Sequence, residues 1–266
     1  MPHSPPLTGE GLGERSFRVR RLKLTVEYDG ADFHGYQTQG KGERTVQSVL
    51  AQAVSTLTPR EEIVLHGAGR TDVGVHALGQ VVSFETGSAL PTERWAIALN
   101  SLLPRDMAVA RVEEAPPDFH ARFSARQRTY GYLIWTRRTR SAIWGRYSLH
   151  CRRPLDVGLM RQAALPLIGT HDFASFARAG GNPGRTTTRD LRRLSIRRMQ
   201  NGLLVTVTAN GFLRSMVRNL VGGLVTVGAG DLPPETLEEI RALRDRARNP
   251  IPPAAPQGLC LLRVDY

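Results

Sequence analysis

Leu22-Lys23-Leu24-Thr25-Val26-Glu27-Tyr28 opens the patterned part of this 266-residue chain, with four apolar side chains alternating with three polar ones. A period of two puts Leu22, Leu24, Val26 and Tyr28 on one face, which predicts a half-buried β-strand. A glycine-rich loop over residues 29–42 follows. Val46, Val49, Leu50, Ala53 and Leu57 then recur at the spacing of one helical face, and that helix must stop before Pro59. Residues 63–66 and 80–84 predict short strands on either side of a second glycine-rich loop. Trp95, Ala98, Leu99 and Leu102 mark another helix, N-capped by Thr92 and ended by Pro104. Residues 107–112 close this half as a strand.

The second half repeats the alternation loosely. Tyr130, Tyr132 and Ile134 share one face of a strand. Met160, Ala163, Leu167 and Ile168 predict a helix ending at Gly169, shortened or kinked by Pro166. Residues 191–199 and 203–209 form a hairpin around Asn201 and Gly202. Val217, Leu220, Val221, Leu224 and Val225 give a helical stripe, Leu237, Ile240 and Leu243 another, and residues 259–266 a last strand. Each half therefore reads strand, helix, two strands, helix, strand. That order predicts an α+β fold of two pseudo-duplicated half-domains with mainly antiparallel sheets flanked by helices, rather than a βαβ series. Residues 1–20 read as a loose tail, 21–117 as the first half-domain and 118–266 as the second, with the boundary at Pro116 and Pro117.

Charge divides along the same line. The whole chain carries 36 Lys plus Arg against 24 Asp plus Glu, a net +12. Residues 1–118 hold 12 against 15, whereas residues 119–266 hold 24 against 9. A concentrated excess of this kind suits a surface that neutralises phosphates. All but Lys23 and Lys41 of these cations are arginines, which bind phosphate bidentately and stack on bases. The two cysteines, Cys151 and Cys260, are far apart, so neither a disulfide framework nor a zinc site of usual spacing is expected. No apolar run is long enough to span a bilayer, and a cytoplasmic location is the expectation.

Three segments carry chemistry. In Gly67-Ala68-Gly69-Arg70-Thr71-Asp72-Val73-Gly74-Val75-His76, the glycines permit a tight loop, and Arg70 can hold Asp72 ionised as a nucleophile or base; taken alone, the same residues equally describe a hairpin loop with a surface Arg–Asp pair. The segment has neither the third glycine of a dinucleotide fingerprint nor the Gly-Lys-Ser/Thr of a phosphate loop. In Asp118-Phe119-His120-Ala121-Arg122-Phe123-Ser124-Ala125, followed by Arg126, Arg128 and Tyr130, arginines and aromatics interleave as they do in segments that meet phosphates and stack bases. Tyr132 reads as core, and Tyr130 is as compatible with core as with a site. In Phe212-Leu213-Arg214-Ser215-Met216-Val217-Arg218-Asn219, an arginine inside an apolar helix calls for a fixed anionic partner, and Gly222 and Gly223 allow a close approach to that helix. The histidines show no metal-ligand spacing.

Together with Glu27-Tyr28-Asp29-Gly30 and His171-Asp172-Phe173, these segments resemble the tRNA pseudouridine synthase A family, in that family's order, from about residue 22 to the C-terminus. The resemblance implies two half-domains around a central cleft and isomerisation of uridine to pseudouridine at positions 38–40 of the tRNA anticodon stem-loop. It further implies no cofactor and a homodimer that shares one tRNA. Asp72 would be the catalytic aspartate, Arg70 and Arg218 its partners, and Tyr130 the ring packed on the target base. The chain departs from the family's pattern at Tyr36, Val73 and Gln257, where Trp, Ala and Glu are usual; none of these removes a residue needed for the reaction. Arg126 and Arg128 are expected to help the second half hold phosphates.

Overall fold

The computed structural model describes residues 19–38, 42–178 and 186–266. Most of the expected tail, residues 1–18, lies outside the described residues. The alternating stretch is β1 (Arg20–Tyr28), and Leu22, Leu24, Val26 and Tyr28 are all buried as the period of two requires. It is flanked by two antiparallel strands, β3 (His76–Thr86) and β4 (Met107–Ala115), with Leu24 opposite Val82 and Val112. Both ladders shift register between Thr25 and Tyr28. The extra residues lie on β3 and β4, so β1 keeps its alternation through Tyr28, whose side chain stays on the buried face.

The second half repeats that arrangement. β5 (Gln127–Trp135) is flanked by antiparallel β9 (Gly202–Ala209) and β10 (Leu259–Asp265). β8 (Thr188–Met199) pairs with β9, and β7 (Gly169–Asp172) pairs with β8. Two short strands complete the sheet: β2 (His66–Gly67) on β3 and β6 (Leu149–His150) on β5. Among the described residues the strands form one ten-stranded sheet of order β4-β1-β3-β10-β5-β9-β8-β7, with β2 and β6 off this path. Its halves meet where β10 runs parallel to β3, with Cys260 opposite His76 and Leu261 opposite Ala77. The same local order, one strand between two antiparallel neighbours, thus occurs twice side by side, in an α+β fold.

Among the described residues five helices flank the sheet: α1 (Val46–Leu57), α2 (Thr92–Leu102), α3 (Val157–Ala164), α4 (Met216–Gly228) and α5 (Thr236–Ala242). α1 starts at a capping box, in which Thr45 and Ser48 each receive the other's backbone N–H. Thr92 is not the N-cap of α2. Pro91 holds that position, and the Thr92 hydroxyl accepts from Arg20 at 3.0 Å and donates to Glu114 at 2.9 Å. The pair of charged neighbours outcompetes the helix end for that hydroxyl. Pro166 shortens α3 as expected, and residues 165–167 continue only as a 3₁₀ turn. The strand expected over residues 63–66 does not form there: residues 63–65 are irregular, and only His66 of that span belongs to β2 (His66–Gly67).

α4 is buried almost all round. The segment that follows α5 returns across it at Gly222, where an added Cβ would lie 2.3 Å from the Pro252 carbonyl oxygen. Gly223 makes the same allowance for Leu237. The close approach expected at these glycines is therefore made by the chain's own segments. Because backbone cannot yield as a flexible side chain can, Gly222→Ala should destabilise by about 1–3 kcal/mol. Thermal unfolding should show this as a midpoint lowered by several degrees, and an unchanged midpoint would refute the packing.

Candidate active site

Asp72 sits on the loop between β2 and β3, and its neighbour Thr71 locks the loop down. Thr71 is buried, its hydroxyl 2.9 Å from the Tyr28 hydroxyl, and its carbonyl accepts the Tyr36 N–H at 3.1 Å. Gln80 donates its side-chain amide to the Gly69 carbonyl at 2.9 Å and to the Tyr28 hydroxyl at 3.4 Å. Burial pushes the Tyr28 phenol up to about 12, so it remains a neutral hydrogen-bonding group. Beyond Asp72 the loop closes on a turn, with the Val75 N–H on the Asp72 carbonyl at 3.2 Å and Gly74 at φ +77°. A third turn residue with positive φ favours glycine.

The Asp72 carboxylate leaves the loop towards the start of α4 and is 19% exposed. Its Oδ2 accepts the Ser215 hydroxyl at 2.7 Å and Arg218 Nη1 at 3.2 Å. Among the described residues its Oδ1 has only the Arg214 guanidinium nearby, at 3.8 Å on a side chain 60% exposed. Arg218 is itself aimed: its Nε donates to the Ala254 carbonyl at 2.7 Å, and its own carbonyl accepts the Ala254 N–H at 2.9 Å. The arginine in the apolar helix thus has the anionic partner its position calls for.

Ser215 is a site residue that sequence reasoning misses, although a signal is present. A serine directly before a helix ordinarily turns its oxygen to the free N–H groups of the first turn. Ser215 is the N-cap of α4 yet makes no such bond, and its backbone is left-handed at φ +59°. For a residue with a Cβ that conformation costs energy. Here it sends the hydroxyl to Asp72 instead.

Arg70 is exposed, and among the described residues it forms neither an ion pair nor a hydrogen bond with Asp72. With Thr71 pinned inward, Arg70 points out of the loop, and Arg214 takes the position expected for it beside the carboxylate. Tyr130 on β5 is 7% exposed, and the Phe212 ring meets it edge to face with centroids 5.1 Å apart. Burial first, then the nearby Tyr28 and Asp72, raise its phenol, against the pull of Arg128. Tyr130 is therefore a neutral phenol at neutral pH and no base. Tyr132 is core, its hydroxyl on the Ala255 carbonyl at 2.7 Å.

Arg128 does not fit the expected phosphate role. Its guanidinium donates to four carbonyls: Ala68 at 2.9 Å, Arg122 at 2.7 Å, Ala125 at 3.2 Å and Asn210 at 2.9 Å. The donors of both its terminal nitrogens are used in tying the Asp72 loop to segments of the second half. Asp29 of the Glu27-Tyr28-Asp29-Gly30 segment forms a second tie. Burial alone would raise its carboxyl, yet the Ala31 N–H, Arg146 and Tyr147 hold it below the usual carboxylate range. No group of His, Cys, Asp and Glu among the described residues could hold a metal ion. No helix among them is long and apolar enough to cross a membrane.

A lone carboxylate, presented on a rigid loop and held through one oxygen, defines a site for carboxylate chemistry at the seam of two half-sheets. The model of the tRNA pseudouridine synthase family matches residues 24–124 and 163–266. The tRNA pseudouridine synthase A of Moorella thermoacetica is 47% identical over 92% of this chain and 99% of its own length. That of Syntrophomonas wolfei is 43% identical over 93% and 98%, and that of Pseudoalteromonas atlantica 43% over 92% of each. The chain belongs to the tRNA pseudouridine synthase family, whose members are isomerases.

Ser215 and Arg218 offer a direct check of the geometry. A hydrogen bond to a charged group contributes about 1.5–3 kcal/mol. Ser215→Gly, which keeps the left-handed backbone free of strain, should slow pseudouridine formation by about tenfold with KM for tRNA unchanged. Ser215→Asn, which tolerates that backbone and carries a donor, should recover part of the loss. Single-turnover assays that find Ser215→Gly as fast as the unaltered chain would show that the hydroxyl does not position Asp72.

Proposed function

We propose that the chain isomerises uridine to pseudouridine at positions 38–40 of the tRNA anticodon stem-loop, with Asp72 as nucleophile. The observation that carries this reading is the asymmetry of the Asp72 carboxylate: Oδ2 is held by two donors, and Oδ1 has only the exposed Arg214 at 3.8 Å among the described residues. Oδ1 attacks C1′ as the N1–C1′ bond breaks, and the bonding pair leaves with the uracil. The detached base rotates so that C5 faces C1′. C5 then bonds to C1′, the carboxylate leaves, the C5 proton is lost and N1 takes one up. Atoms and electrons balance within the nucleoside, so the step needs no cofactor.

The target base must leave its stack to reach the carboxylate. Tyr130 lies behind the site and packs on that base, with Phe212 moving off its ring edge. Arg70, exposed beside the loop, takes an RNA phosphate. The exposed arginines of the second half, among them Arg137, Arg138, Arg197 and Arg198, supply further phosphate contacts. Residues 21–117 act as the half-domain that carries the nucleophile, and residues 118–266 as the half that orients it and holds RNA. The working unit is a cytoplasmic homodimer that shares one tRNA.

Asp72→Asn keeps shape and one acceptor oxygen for Ser215 and Arg218 but cannot attack. With undermodified tRNA it should form no pseudouridine while binding tRNA as tightly as before, and nucleoside mapping reads both product and position. Conversion at the unaltered rate would remove Asp72 from the chemistry. Release of free uracil by the unaltered chain would indicate a glycosidase instead.

A further inference from the structure

Three aromatic rings form a ladder beside the segment that leads to Asp72. The ring of His66, the first residue of β2, has its centroid 4.6 Å from that of His120, and His120 lies 4.4 Å from Phe123. Successive planes are inclined by 37° and 38°. The outer ring, Phe123, is 72% exposed.

The loop that presents Phe123 is tied down at every step. His120 Nδ1 accepts the N–H groups of Arg122 and Phe123 at 3.1 and 3.4 Å. Ser124 accepts the His120 N–H on its hydroxyl at 3.0 Å and donates its own N–H to the His120 carbonyl at 2.9 Å. Ala121 is wholly buried beside Ala68 and Val81, with its N–H on the Ser83 hydroxyl at 3.1 Å and its carbonyl accepting the Tyr266 hydroxyl at 2.8 Å. Arg128 then joins the Arg122 carbonyl to the Ala68 carbonyl, four residues before Asp72. The phenyl face is thus held at a fixed place near the reactive loop. Desolvation, then the nearby His66, Arg21 and Arg122, lower the pKa of His120, so the ring behind Phe123 stays uncharged at neutral pH. The Arg122 guanidinium lies 5.6 Å from the Phe123 centroid.

We propose that the exposed face of Phe123 is a stacking platform for an unpaired nucleobase of the RNA substrate, distinct from the target uridine that meets Asp72 and Tyr130. An immobile aromatic face beside a cation is what sequence-tolerant base stacking requires. The proposal rests on RNA being the substrate and not on the role of Asp72.

Equilibrium binding of an unmodified tRNA transcript at several salt concentrations tests it, with Phe123→Ala, Phe123→Leu and Phe123→Trp. Because the ring is exposed, all three should fold with the unaltered melting temperature. Phe123→Ala should weaken affinity by about tenfold or more, Phe123→Leu should recover little, and Phe123→Trp should restore it. The slope of log affinity against log salt should not change, because a phenyl ring neutralises no phosphate. Unchanged affinity for Phe123→Ala, or full recovery by Phe123→Leu, would overturn the platform. So would a change in mass by light scattering in Phe123→Ala, which would place the ring between copies of the chain. Asp72→Asn run in parallel separates the two readings: activity in that variant overturns the nucleophile and leaves the Phe123 result standing.

Discussion

Everything at the site depends on how one carboxylate oxygen is held. Asp72 belongs to the first half of the sheet, while Ser215 and Arg218, which grip its Oδ2, belong to the second. Neither half holds the group alone. The parallel junction of β3 with β10 brings the halves into register, the Arg128 guanidinium ties their loops together, and Ala254 aims Arg218. A half-buried carboxylate costs free energy unless donors meet it, and the donors here come from across the seam. The left-handed backbone of Ser215 and the bare Cα of Gly222 are the local concessions that allow it.

Much of this is legible in the sequence because it depends on period and punctuation. The alternation of β1, the helical stripe of α1 with its stop before Pro59, and the hairpin at Asn201 and Gly202 are local patterns, and the structure follows them. Asp72 stands out by family resemblance, since its glycine-rich surroundings alone also describe a hairpin loop with a surface Arg–Asp pair. The pairing of Asp72 with Arg218 is expected from family resemblance and from the need of an arginine in an apolar helix for an anion.

What stays dark in the sequence is tertiary. Nothing local says that Thr71 will be pinned to Tyr28, yet that pin turns Arg70 outward and leaves Arg214 beside the carboxylate. Thr92 has the identity of an N-cap, but Arg20 and Glu114 from distant strands claim its hydroxyl. Arg128 looks like any arginine of a basic half, and only the folded chain shows four carbonyls around it. Ser215 is the sharpest case, because a residue with the identity and the position of a cap is diverted to a carboxylate 143 residues away. Charge counting points to the second half as the one that meets RNA; it cannot separate arginines spent on the fold from those left for phosphates.

The claim on which the rest turns is that Oδ1 of Asp72, and not Oδ2, faces the reacting sugar. The crystal structure of the Asp72→Asn chain with an anticodon stem-loop RNA tests it most directly. The amide oxygen of the substituted side chain should keep the bonds from Ser215 and Arg218, with C1′ of the target uridine against the amide nitrogen and the base against Tyr130. A target ribose seated on the side of Ser215 and Arg218, or away from the substituted side chain altogether, would contradict it.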